Sequence, residues 1–337
     1  MTNYPDDVAS FPFSMDRDIY RYSVNLQPGG MHETTPAGGW GDHLLWIEDG
    51  EYQRRLEYRE EVLALSKDGR YGVPAHMQPA AWDTLLFIME DLSRARPEVF
   101  SLERVGRGFI WRNKLLGVEQ SFVYGDQSTL PCEPLLYIGR HVTEDLVLLD
   151  QRNNQLWMDG GLLTFPNIWS LKFHLGMSFQ DIHGPVVGGA ESGIFMRAEE
   201  FLMRMQPGEV FRRTNWNFQP GPHLDVSLEI YQEWLPARVD FEEHVRGKAG
   251  EFIHMRTEIQ NLIRLPRTDA LLFTITTRVL PLERVAMVPE WARRMLAVVE
   301  ELPEDLRAYK GLDLTGHYVT TFLRDRLSAL PQTPTNP

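Results

Sequence analysis

The fold of this chain turns on residues 251–280, EFIHMRTEIQNLIRLPRTDALLFTITTRVL. In its first half His254, Arg256, Glu258, Gln260 and Arg264 alternate with Ile253, Met255, Thr257, Ile259 and Ile263. A period of two marks a β-strand, because successive side chains point to opposite faces. RLPRTD supplies a turn, and ALLFTITTRVL resumes as a second strand rich in β-branched residues. Upstream, 209–218 (EVFRRTNWNF) reads as another long strand. It carries Phe211, Arg213, Asn215 and Asn217 on one face and Arg212, Thr214, Trp216 and Phe218 on the other.

Further upstream, GFIWRN, LLYIGRHV, DLVLLD, NQLWM and LLTF are short apolar runs between turn residues. They suggest a meander of antiparallel strands, with turns at Asn153-Asn154 and Gly160-Gly161. Helical periodicity is expected over 44–66, 80–95 and 191–205, and again in PEWARRMLAVVEEL and HYVTTFLRDRLSAL. The order is helices, strands, helix, strands, helices. That makes the chain α+β with a mostly antiparallel sheet, not a βαβ alternation. Residues 1–42, rich in Pro, Gly, Asp and Thr, read as an irregular arm. Residues 43–330 form one domain with helical extensions, and 331–337 (PQTPTNP) a disordered tail.

The 337 residues carry a net charge of -13, which repels phosphate backbones and anionic lipid and argues against nucleic-acid and membrane-surface roles. No apolar run approaches the roughly 20 residues a bilayer requires. The first residues are acidic where a signal peptide is basic, so a cytoplasmic protein is expected. A single cysteine, Cys132, excludes an intrachain disulfide, and it rules out an iron–sulfur cluster or Cys-rich zinc site held by this chain alone. Rossmann, P-loop, G-x-S-x-G, H-E-x-x-H and C-x-x-C-H motifs are all missing. If the chain does redox chemistry, its electrons enter from another chain.

Several groups are candidates for chemistry. His183, in 165–186 (FPNIWSLKFHLGMSFQDIHGPV), precedes Gly184-Pro185, where a helix must end. It is either an axial metal ligand on a rigid boundary or a structural histidine. The polar faces around Arg213 and around Arg256 and Glu258 are either pocket walls or the wet side of a sheet. His223, in QPGPHL, is a second histidine of the same ambiguity, and Cys132 is more readily an inert thiol than a thiolate ligand.

In order along the chain, YRYSVNLQP, WIEDGEYQRRLEYREEVL, GRHVTEDLVLL, LTFPNIWSLKFHLGMSFQDIHGPV, FRRTNWNF, MRTEIQNLIRLPRTDALLFTI and YKG at 309–311 cover most of residues 20–312. This set resembles the alpha-subunit family of haem-dependent oxidative N-demethylase (dimethylamine monooxygenase). The resemblance implies a haem-binding, PAS-like antiparallel sheet flanked by helices. It implies haem b with His183 as proximal ligand, oxygen activation, and loss of an N-methyl group from a small secondary amine as formaldehyde. It also implies NADPH, FMN and a 2Fe-2S cluster on a separate reductase subunit, and a tetrahydrofolate-binding partner. On this reading Arg213 and Arg256 polarise bound oxygen or pair with a haem propionate. Glu258 holds the amine, and Asn215, Gln260 and Arg264 line the cofactor pocket. After IHGP the family continues with a further proline and an aromatic residue, whereas this chain reads VVGGAES. The alternative is a haem-based gas or redox sensor, or a non-catalytic haem-binding protein.

Overall fold

A computed structural model describes residues 4–20, 25–47, 49–186 and 193–330. Strands β1 (Gln27–Pro28), β2 (Glu33–Thr35) and β3 (Gly38–Trp40) lie in the N-terminal stretch, and helices α1 (Asp49–Arg70) and α2 (Gln78–Ala95) flank the short β4 (Tyr71–Gly72). A separate three-stranded sheet follows, β5 (Phe100–Val105), β6 (Gly108–Asn113) and β7 (Val118–Phe122). Next come α3 (Pro134–Gly139) and the hairpin of β8 (Asp145–Arg152) and β9 (Gln155–Leu162). Helices α4 (Leu171–His174), α5 (Phe179–His183) and α6 (Ile194–Arg204) precede β10 (Val210–Pro220). Helix α7 (Tyr231–Val239) lies between β10 and β11 (Ile253–Arg264), which β12 (Leu271–Pro281) follows. Helices α8 (Pro289–Glu301), α9 (Glu304–Tyr309) and α10 (Leu312–Ser328) complete the described chain.

The main sheet has seven strands in the order β1–β10–β11–β12–β8–β9–β4, and every neighbouring pair is antiparallel. One face carries Trp216, Phe218 and Met255 against Trp291, Met295, Val319 and Leu323 of the C-terminal helices. The same face continues under α2, where Leu146, Leu148, Ile263 and Leu272 meet Leu85, Leu86 and Met89. On the other face Val147, Leu149, Leu262 and Ile275 receive Leu171, Phe179 and Leu202 from α4, α5 and α6. Each such side chain contributes about 1.5–3 kcal/mol when fully buried. Helices on both faces make β11 a central strand, buried at every position.

Three expectations fail locally. LLTF is not a separate strand, because β9 ends at its first residue, Leu162. LLYIGRHV is not a strand: Pro134 opens α3, and Leu135 to Ile138 are buried on all sides. A short run that is apolar all round has no period to separate strand from helix, and proline at the first turn favours the helix. Gly160-Gly161 is not a turn. Both lie within β9, and a Cβ on Gly161 would stand 2.9 Å from the Leu146 carbonyl oxygen, so close approach of a backbone explains that glycine. The turn at Asn153-Asn154 is present, both residues having φ of 55°.

Residues 4–20 and 25–40 are tied down. Val8, Phe11 and Met15 join the core under α8, and β1 pairs with β10. The stretch 187–192 and the tail 331–337 lie outside the described residues. Among the described residues no helix is long and apolar enough to cross a membrane.

Candidate functional site

The register of β10 on β11 decides which polar residues meet. Arg213 stands opposite Gln260, Asn215 opposite Glu258, Asn217 opposite Arg256 and Gln219 opposite His254. Directly opposed residues share a face, so the two polar rows form one strip. The strip is not a wet surface: Asn217, Gln219, His254, Arg256, Glu258 and Gln260 are all buried. It lies on the face that carries α4, α5 and α6, where Phe211 and Leu262 continue it into the apolar cluster.

Most of the strip's charge is already matched. Arg256 Nε donates to Glu258 Oε1 (3.1 Å), and its other nitrogens donate to the carbonyls of Leu224 (2.8 Å) and Phe165 and to Thr277 Oγ1 (3.1 Å). Gln260 Nε2 donates to Glu258 Oε2 (2.9 Å), and Gln260 Oε1 is buried without a partner among the described residues. Asn215 Oδ1 accepts from Lys310 Nζ (2.9 Å), and Asn217 Oδ1 accepts from Asn167 Nδ2 (3.2 Å). Arg213, a member of the strip, is half-buried, and its charge lowers the pKa of both His183 and Lys310. Arg264 stands apart at the far end of β11, bonded to Asp269 and Gln151.

His183 is the last residue of α5. Ser178 caps that helix by accepting from Asp181 N–H. The segment before it is stitched to β9 by Met158 N–H donating to the Met177 carbonyl (2.9 Å) and Gly176 N–H to the Met158 carbonyl (2.7 Å). Glu199 of α6 accepts from Leu156 N–H (2.8 Å) and Gln180 Nε2 (2.6 Å), which locks α5 and α6 to the same strand. His183 Nδ1 lies 2.8 Å from the Phe179 carbonyl oxygen. A carbonyl can only accept, so Nδ1 carries the proton and Nε2 the lone pair. The ring sits between Phe179 (centroids 4.1 Å apart) and Phe195 (4.8 Å). Burial pushes the imidazole pKa down to about 4, and the charges of Arg213 and His174 press the same way. His183 is therefore a neutral histidine, fixed in one tautomer, with Nε2 uncommitted among the described residues. A carbonyl that holds the far ring nitrogen in this way is what orients a metal-ligating imidazole.

Sequence reasoning passed over two residues. His174 ends α4 as His183 ends α5, with Nδ1 2.7 Å from the Ser170 carbonyl oxygen and its ring edge-on to Trp169. The available signal was its place in the same 165–186 segment. Lys310 lies far along the chain, and only the YKG match pointed to it.

His223 is exposed at the end of the strip, where Gln219 Nε2 donates to its carbonyl (2.9 Å) and it lines a small cavity with Asn167, Asn217, Gln219 and Trp234. The other candidates are elsewhere. Cys132 packs near Leu63, Leu136 and Leu162, and burial pushes its thiol pKa up, against thiolate formation. His76, Asp150 and Asp159 also converge, but the Arg152 guanidinium already pairs with both carboxylates.

The chain is thus an α+β protein with a buried polar strip on the sheet face that also carries a histidine whose Nδ1 is held by a backbone carbonyl. Over residues 40–320 the chain matches the family described as haem-dependent oxidative N-demethylase, alpha subunit-like, and it belongs to that family.

Proposed function

We propose that this chain is the haem-carrying oxygenase subunit of an oxidative N-demethylating system. Its substrate is a small secondary amine, and its electrons come from NADPH through a separate flavin and iron–sulfur reductase. The observation that carries this reading is His183: neutral, with Nδ1 held by the Phe179 carbonyl and Nε2 uncommitted among the described residues. The side chains present fit haem b. His183 Nε2 supplies the axial ligand, Phe179 and Phe195 supply apolar contact, and half-buried Arg213 supplies a guanidinium for a propionate. When bound, haem supplies the oxygen-activating chemistry.

A PAS-like fold is supported by strand order. With β8 to β12 taken as first to fifth, the sheet runs second–first–fifth–fourth–third, the arrangement of a PAS-like sheet. Helices α4, α5 and α6 come between the second and third strands and bring His183 to the sheet.

The strip also matches the substrate. A dialkylammonium ion carries two N–H donors. Gln260 Oε1 is a buried acceptor without a partner among the described residues, and Glu258 beside it keeps lone pairs beyond its two bonds. Arg256 acts under this pair as a support, since four of its five donors are already taken. Formaldehyde capture by a tetrahydrofolate-binding partner belongs to the same proposal.

Absorption spectra of the purified protein, oxidised and reduced, test the reading. We expect a Soret band that shifts with small secondary amines, and His183→Ala to lose haem or change the spectrum. Absence of a Soret band after expression with ample haem would overturn the proposal. Full haem content with an unchanged spectrum in His183→Ala would overturn the ligand. A haem protein indifferent to amines and without NADPH-coupled turnover beside its reductase would be the sensor instead.

A further inference from the structure

Lys310 enters the site from a turn pressed against the edge of β10. Among the described residues, strand β1 pairs with that edge at Arg212 and Phe211. Beyond it, Phe218 N–H donates to the Lys310 carbonyl (2.9 Å). The next residue, Gly311, has φ of +73°, and a Cβ there would fall 2.2 Å from the Phe218 carbonyl oxygen, so the turn approaches this closely only with glycine. The lysine side chain then folds back into the protein. Its Nζ donates to Asn215 Oδ1 (2.9 Å) and the Trp216 carbonyl (2.9 Å) and lies 4.7 Å from the Trp216 ring centroid.

This contact fixes an otherwise ambiguous amide. An ammonium only donates, so the Asn215 oxygen must face Lys310 and its N–H2 must face away. Asn215 shares the strip with Glu258 directly opposite, and its Nδ2 has no partner among the described residues. We propose that Lys310 is a positioning residue: by holding Asn215 Oδ1 it turns the Asn215 N–H2 toward a ligand bound beside Glu258. The inference rests on the reading of the strip as a ligand site. It adds to that site a donor whose aim depends on the charge of a buried lysine. Burial pushes the Lys310 pKa down to about 7, with Arg213 on β10 lowering it and Glu258 on β11 raising it. The grip on Asn215 is therefore expected to change across neutral pH.

Full-length protein labelled with [15N]asparagine tests the positioning directly. The Asn215 side-chain N–H2 pair is assigned by its loss in Asn215→Leu. We expect it to move in Lys310→Met, and to titrate near pH 7 in the unaltered protein, a measurement that needs no variant to fold. An N–H2 pair that stays put in Lys310→Met overturns the proposal. For the ligand half, the probe is dimethylammonium chloride added to haem-loaded protein. Lys310→Met and Asn215→Leu should each weaken binding about tenfold, and the double variant no further, because one removes what the other aims. Losses that add, or binding unchanged in both, overturn it. Haem-loaded protein that ignores dimethylammonium from the start sinks the substrate reading, and the N–H2 signal still decides for or against the lysine.

Discussion

Arg256 Nε lies 3.1 Å from Glu258 Oε1, an ion pair between two residues on the same face of one strand. The guanidinium is wholly buried and also holds the carbonyls of Leu224 and Phe165, so it ties two loops to the sheet beneath the strip.

Removing that arginine leaves a buried carboxylate without its counter-charge. We expect Arg256→Met to destabilise by about 3–5 kcal/mol. Urea unfolding would read this as a lower midpoint at unchanged slope. Arg256→Lys should rescue little, because one ammonium cannot reach the same spread of acceptors. Adding Glu258→Gln to Arg256→Met should recover part of the loss. A loss below about 1 kcal/mol would mean the pair is solvated in solution.

The RLPRT motif has a second structural tie. Asp83 of α2, fully buried, accepts from the N–H groups of Arg267 and Thr268 (both 2.8 Å), from Thr268 Oγ1 (2.9 Å) and from Arg267 Nη1 (3.1 Å). Asp83→Ala strands these donors, and we expect about 2–4 kcal/mol of destabilisation. The thermal midpoint should fall, while a neighbouring surface change such as Glu90→Ala should scarcely move it.

Period-two patterning made β10, β11 and β12 legible, because alternation belongs to one strand and needs no partner. The shared polar strip was not legible. Which face of β10 meets which face of β11 depends on register, and that is set by pairing between residues such as Asn215 and Glu258. Lys310 was hidden for the same reason: its partner Asn215 lies 95 residues away, and neither neighbour in sequence announces the contact. The family resemblance named His183, but only coordinates give it a carbonyl partner and a tautomer. The N-terminal stretch reads as irregular by composition, yet tertiary packing orders Phe11 and Met15 within a core supplied by the other end of the chain.

His141 is a buried imidazole that the site does not use. Its Nδ1 accepts from Asn113 Nδ2 (3.0 Å), and its carbonyl accepts from Tyr52 Oη (2.7 Å). Burial, then the Arg140 charge, pushes its pKa down to about 4. Unfolded histidine titrates near 6.5, so between about pH 6.5 and 4 the unfolded chain binds a proton the folded chain refuses. Stability is complete above that window and falls as pH drops through it, by on the order of 3 kcal/mol from this group. His183 contributes in the same direction. Buried Glu144 and Asp145, whose pKa values are raised, oppose it. The test is therefore a difference: thermal unfolding of His141→Phe should start lower at pH 7 but change less on acidification. Parallel curves for the two proteins would refute the assignment.

Gly311 offers a way to move Lys310 without touching it. Its positive φ alone penalises any side chain, by about 1–2 kcal/mol. The Phe218 carbonyl oxygen, 2.2 Å from where a Cβ would stand, adds a collision with backbone that cannot rotate away. Gly106, at φ of +59° with nothing near its Cβ position, separates the two effects. We expect Gly106→Ala to lose only the backbone term and Gly311→Ala to lose clearly more, about 2–4 kcal/mol in all. The collision should also push the YKG turn off β10 and loosen Lys310 from Asn215. Gly311→Ala should then shift the Asn215 N–H2 signal as Lys310→Met does, whereas Gly106→Ala should leave it in place. Equal destabilisation by the two alanines would show that the turn can back away from β10, and that the close approach does not hold the lysine.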